Sequence, residues 1–266
     1  MISIPLYKHG IRGGWRLWTI LAAVTAMYFV IIVTMFDPEL GAALSEFAKA
    51  MPELMSMFGM NYSGTTLVGF MSSYLYGFIM LVFPMVFSIL TANRLVARQV
   101  DRGAMAYILA SPISRKKIAY TQGNVLFTGV FMMILFSALV GIIAAEIFFP
   151  AELEIGGFLM LNLGVLALQL FISGICFLCS CIFNDTKFGI SFGAGIPSLG
   201  FIIQMIANVA DKLEHAKYAS FFTLFNAEEI LAREASAYWG IAILLAGGLV
   251  LYAASIIVFS KKDIPV

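Results

Sequence analysis

Residues 155–181 read IGGFLMLNLGVLALQLFISGICFLCSC, and not one side chain in the run is charged. An α-helix rises about 1.5 Å per residue, so about 20 apolar residues cross a hydrocarbon layer roughly 30 Å thick. This run is longer than that, which predicts a membrane-spanning helix that tilts or extends past the bilayer. Working outward, five further runs meet the same length criterion: residues 17–36, 67–90, 124–145, 188–209 and 238–259. Residues 188–209 contain Gly189, Gly193, Gly195, Pro197 and Gly200, which weaken an isolated helix. In lipid such residues are tolerated and mark close helix contacts. The expected fold is an all-α integral membrane protein with six transmembrane helices, one transmembrane domain over residues 1–266.

Composition agrees. Hydrophobic residues make up 61% of the chain, charged residues 12%, and the mean hydropathy is +0.96. A water-soluble domain is closer to half apolar and a quarter charged, so lipid must solvate much of this surface. The net charge of +1 gives nucleic acid no footing. Cys176, Cys179 and Cys181 lie together in an apolar run, which argues against a disulfide framework. The run 17–36 has spanning length, and the faint cleavage pattern Ala48-Lys49-Ala50 lies well beyond it, so it reads as an anchor rather than a removed signal.

Charge alternates across the connections. Lys8, Arg12 and Arg16, then Arg94, Arg98, Arg102, Arg115, Lys116 and Lys117, then Lys187, then Lys261 and Lys262 fall on one side. The other side holds only Lys49, Lys212, Lys217 and Arg233, together with all the acids except Asp101, Asp185 and Asp263. The positive-inside rule then puts both termini and the second connection in the cytoplasm.

Several segments are expected outside the hydrocarbon. Lys8, Arg12 and Arg16 recur every four residues near Trp15 and Trp18. Residues 1–16 therefore read either as a short interfacial helix on the inner leaflet or as the basic flank of the first span. Leu44, Phe47, Ala48, Met51, Met55 and Phe58 form an amphipathic pattern broken at Pro52. Residues 210–237 are expected to form an outer helical segment, in which Asn226 and Glu229 match a capping box opening a helix to about Ala235.

Catalytic groups are scarce. His9 and His215 fall on opposite sides, the cysteines stand at i, i+3, i+5 with no His or acid beside them whereas a zinc site wants four ligands, and no Gly-x-x-x-x-Gly-Lys-[Ser/Thr] loop occurs. No catalytic residue, metal or cofactor is assigned to this chain, and ATP hydrolysis by that loop is not its own work. Three helical stripes are mildly polar: Ser73, Gly77, Met80, Pro84, Ser88 and Thr91; Asn162, Gln169, Ser173 and Ser180; and Gly189, Gly193, Pro197, Gly200, Gln204 and Asn208. Helix packing explains them as well as a translocation path or dimer seam does. No charge lies deep in a span, which argues against a proton- or sodium-driven carrier.

The second connection, residues 93–117, reads NRLVARQVDRGAMAYILASPISRKK. Residues 104–110 fit a short helix with Met105, Ile108 and Leu109 on one side. Ser111 ends it, because a residue before proline avoids the helical region. A short cytoplasmic helix of this kind suits the groove of a soluble partner.

The order Asp101, Gly103, an apolar stretch ending at Leu109, then Ser111-Pro112-Ile113-Ser114-Arg115-Lys116 resembles the signature loop of ABC-2-type permeases, which reads Glu-x-Gly-Thr followed by a Leu-rich stretch and Pro-[Val/Ile]-Ser-Arg. Asp101 replaces the Glu and Ala104 the Thr. The basic segment before the first span resembles that family's connecting helix. Residues 221–231 resemble its aromatic stretch, and Phe259-Ser260-Lys261-Lys262-Asp263-Ile264-Pro265 its tail.

The resemblance implies a type V exporter permease of the bacterial cytoplasmic membrane. Two such chains, identical or close homologues, would pair with two separate ATPase subunits that hold ATP and magnesium. Asp101, Arg102, Gly103, Met105, Leu109, Pro112 and Arg115 would form the ATPase-coupling loop. The second and fifth spans would border the path, placing Ser73, Gly77, Met80, Pro84, Gly193, Pro197, Gly200, Gln204 and Asn208 along it. Lightly polar stripes fit an amphipathic or hydrophobic cargo, such as an antimicrobial or toxin peptide, a drug or a lipid. The rival readings are an ATP-independent carrier or channel, which wants an internal repeat, and an intramembrane enzyme, which wants paired catalytic groups.

Overall fold

A backbone that crosses hydrocarbon must satisfy its N–H and C=O groups within its own segment, so apolar runs of this length become helices. The computed structural model describes residues 2–36, 51, 57, 66–109, 112–209 and 220–262. Among these there is no strand, and six helices are long and apolar enough to cross a membrane. This is the architecture of a multi-pass membrane protein.

The helices are α1 (Ile4–Thr34), α2 (Leu67–Met71), α3 (Ile79–Leu95), α4 (Ala97–Asp101), α5 (Ala104–Leu109), α6 (Arg115–Phe148), α7 (Ile155–Ile182), α8 (Thr186–Val209), α9 (Ala227–Leu231) and α10 (Ala235–Lys261). A π-helical turn, Ser72–Tyr76, follows α2, and a 3-10 turn, Phe221–Leu224, precedes α9. The charge-free α7 is the most buried span and packs against α3, α6, α8 and α10. α1 lies along α6. Where α1, the π-turn and α7 meet, Phe29, Tyr76 and Phe158 stand edge to face in a closed triangle. The bundle's outer faces carry Ile20, Met27, Leu139, Ile143, Leu199 and Leu249 exposed, as lipid solvation demands.

The fourth, fifth and sixth spans run close to the expected bounds. The other three differ. Residues 4–16 form no separate helix, because α1 runs unbroken from Ile4. The Ser3 backbone N–H donates to Thr121 Oγ1 at 3.0 Å and the Tyr7 hydroxyl to Thr128 Oγ1 at 3.0 Å, holding this stretch along α6. The second span is not one helix over 67–90: it breaks at Ser72–Phe78 and resumes as α3, which leads into α4. The Asn162 side chain donates to the Tyr76 hydroxyl at 2.7 Å and fixes the end of the π-turn from outside. The third span begins at Arg115 rather than 124, because Ser114 caps it by accepting the Lys117 backbone N–H at 3.4 Å.

The amphipathic stretch expected at 44–58 lies, apart from Met51 and Met57, outside the described residues, as do Ala110 and Ser111 at the end of the loop helix. Asn226 caps α9 by accepting from the Glu228 and Glu229 backbone N–H groups. Glu229 takes the Asn226 side-chain amide at 2.8 Å instead of a backbone N–H, and α9 stops at Leu231, short of the expected end.

Candidate functional site

Proline inside a helix has no N–H to donate and leaves the carbonyl four residues earlier without its partner. Pro84 in α3 does this to Met80, and Pro197 in α8 does it to Gly193. Both carbonyls are answered from α7. Gln169 Nε2 donates to the Met80 carbonyl at 3.2 Å and to the Leu81 carbonyl at 2.8 Å. Cys176 Sγ donates to the Gly193 carbonyl at 3.2 Å. Asn162, Gln169 and Cys176 stand seven residues apart in sequence, hence two turns apart on one face of α7. Between them Ser173 shares a 2.9 Å hydrogen bond with the Tyr252 hydroxyl of α10. The middles of the three polar stripes thus meet in one seam, in which the central helix supplies the donors its neighbours lack.

The predicted path residues divide. Ser73 and Gly77 on the second span and Gln204 and Asn208 on α8 line one cavity of about 330 Å³, closed on its third side by Phe222–Glu229. Gln204 Oε1 accepts from the Thr223 hydroxyl at 2.8 Å, and Gln204 Nε2 donates to Asn208 Oδ1 at 3.2 Å, so amides and hydroxyls face the space. Met80, Pro84, Gly193, Pro197 and Gly200 do not line it; they are buried between helices. Gly200 faces the rings of Phe221 and Phe222, and its carbonyl accepts from the Ser220 hydroxyl at 2.8 Å.

The second connection is part anchored and part presented. Asp101, Arg102, Gly103, Pro112 and Arg115 are exposed, whereas Met105 is fully buried. Gly103 has φ +71°, a left-handed conformation that glycine adopts without strain and that sets α5 at an angle to α4. Tyr107, on the opposite side of α5 from Met105, is 85% exposed, the most exposed large apolar side chain among the described residues. Leu109 closes α5. Arg115 Nη1 donates to the Lys262 carbonyl at 2.7 Å, and Lys262 Nζ to the Cys181 carbonyl at 2.9 Å, tying the starts and ends of three spans at the basic side. Burial pushes the Lys262 ammonium below its ordinary range, while Cys181 acts the other way. The acceptor is one of the orphan carbonyls at the C-terminus of α7, where a cation also meets the negative end of the helix dipole.

Three features escaped the sequence reading. Cys176 acts as a donor rather than as apolar filler, and Tyr76 and Tyr252 are polar partners inside the bundle. The signal available was the pair of mid-span prolines, each of which requires a donor, and the seven-residue spacing of Asn162, Gln169 and Cys176. Among the described residues no group of three His, Cys, Asp or Glu side chains is placed to hold a metal ion. No family model matches the chain, and no curated protein matches it.

Proposed function

We propose that this chain is the permease subunit of an ATP-driven exporter of the ABC-2 type, in the bacterial cytoplasmic membrane with both termini inside. It works as a pair with a second permease chain and two ATPase subunits that carry the ATP and magnesium. The observation that carries the reading is α5: Met105 is rooted in the core of the bundle, and Tyr107 projects from it. A partner that grips the exposed face is therefore joined to the bundle core through Met105. The loop sequence supports the same assignment, and the absence of charge deep in the spans leaves a partner as the energy source. The cavity bounded by Gln204, Asn208 and the π-turn offers hydrogen bonds beside apolar walls, which suits an amphipathic cargo.

The test is purification of the tagged chain from its own membrane. An ATPase subunit should co-purify, and Tyr107→Ala should weaken that association by roughly 2 kcal/mol, the scale of an aromatic hot spot. The Asp101/Arg102 charge swap and Gly103→Pro should uncouple hydrolysis from export while the helical content stays unchanged. Transport of a labelled peptide by the purified chain alone in liposomes would instead establish the carrier reading.

A further inference from the structure

On the basic side of the bundle, a second cavity of about 280 Å³ lies between α1, α3 and α6. α6 contributes Val125, Thr128, Gly129 and Met132, one face over two turns, so the groove runs roughly 11 Å along the helices. Its walls are almost wholly apolar, and among the described residues Arg94 is the one charged residue lining it. The groove faces sideways, since Ile11, Trp15 and Met132 on its rim are exposed on the outer surface of the bundle. An apolar rim of this kind suits contact with lipid.

One charge in this pocket is left over. Arg94 Nη2 donates to the Gly10 carbonyl at 3.2 Å, and no carboxylate pairs with the guanidinium among the described residues. The Gly10 carbonyl is neutral, so the charge itself is uncompensated. A half-buried cation without a counter-ion is costly. Gly10 and Gly14 keep the space free: a Cβ on Gly14 would collide with the guanidinium, and one on Gly10 would stand 2.9 Å from Val125.

We propose that this pocket binds one anionic phospholipid of the leaflet on the basic side. The phosphate meets Arg94, while an acyl chain lies along Trp18, Phe87 and Met132. A guanidinium recognises a phosphate in paired, charge-assisted hydrogen bonds, and an apolar groove beside it selects a phosphate that carries a hydrocarbon tail. Exposed Lys8, Arg12 and Arg16 on α1 enrich anionic lipid around the entrance.

Native mass spectrometry of the purified full chain, delipidated and then supplied with phosphatidylglycerol or phosphatidylcholine of equal acyl length, tests this. One phosphatidylglycerol should be retained per chain, with about a fivefold preference, the worth of one basic group at an anionic surface. Inorganic phosphate should not displace it. Arg94→Gln should abolish the preference, Arg94→Lys should restore most of it, and Met132→Trp, which fills the apolar end and leaves Arg94 in place, should lower retention of both lipids. An unchanged preference in Arg94→Gln, unchanged retention in Met132→Trp, or displacement by inorganic phosphate would overturn the proposal. Should Arg94→Gln lose its helical content, Met132→Trp alone decides. None of these readouts involves an ATPase, so the exporter reading stands or falls separately.

Discussion

Pro84 and Pro197 each take a donor out of the middle of a span, and in lipid no water replaces it. Gln169 and Cys176 replace it instead, at 3.2 Å from each orphaned carbonyl. The two replacements are unequal, since an amide N–H is a full donor and a thiol a weak one. Gln169→Leu should cost about 1 kcal/mol, because polar contacts between membrane helices average near the low end of buried hydrogen bonds. Pro84→Ala gives the Met80 carbonyl its own helical donor, so the same Gln169→Leu change made in that background should cost less. A double-mutant cycle by denaturant unfolding in micelles measures this, and a coupling energy of zero would deny the pairing. The stripe containing Gln169 was legible in the sequence at helical spacing, but its partner was not. Which neighbour a polar residue meets depends on which helix lies beside it, and Cys176 is indistinguishable by composition from apolar filler.

At the level of elements, apolar length fixes where helices run, and it located α7, α8 and α10 closely. It does not register how they are interrupted. The π-turn at Ser72–Tyr76 lies inside an unbroken apolar run and is held by Asn162, which is 86 residues away in sequence. The continuity of α1 was equally hidden, because basic residues every four positions look alike on an interfacial helix and on an extended span. Glycines separate close approach from mere tolerance. A Cβ on Gly240 of α10 would collide with the Leu224 backbone carbonyl, which cannot move aside without disturbing the 3-10 turn, whereas a Cβ on Gly195 of α8 meets nothing within 4 Å. Gly240→Ala should therefore destabilise by roughly 1–3 kcal/mol, the range for overpacking. Gly195→Ala should be neutral or stabilise by up to about 1 kcal/mol from helix propensity. Melting of the two variants side by side checks both signs.

For the whole molecule, the charge asymmetry and the three-dimensional arrangement bear on the same question by independent routes. Sequence places Arg94, Arg98, Arg102, Arg115, Lys116 and Lys117 on one side. In space, the connection holding them is brought beside Lys262 through Arg115, so the second connection and the end of α10 share a face. At the opposite ends of α7 and α10, Glu154 and Arg233 meet at 2.6 Å, both exposed, in a pair of the kind that adds little stability but marks the other face. The three native cysteines are all buried, Cys179 the least so at 6% exposed, so single added cysteines can be read against a quiet background. Tyr107→Cys should react with a membrane-impermeant maleimide in inside-out vesicles and not in intact cells, and Glu152→Cys, exposed in the α6–α7 connection, should do the reverse. Labelling of Tyr107→Cys from outside the cell would remove α5 from the reach of any cytoplasmic ATPase. The polar seam of α7 and the lipid pocket would survive that result, because both depend on which helices touch and neither on which way the bundle faces.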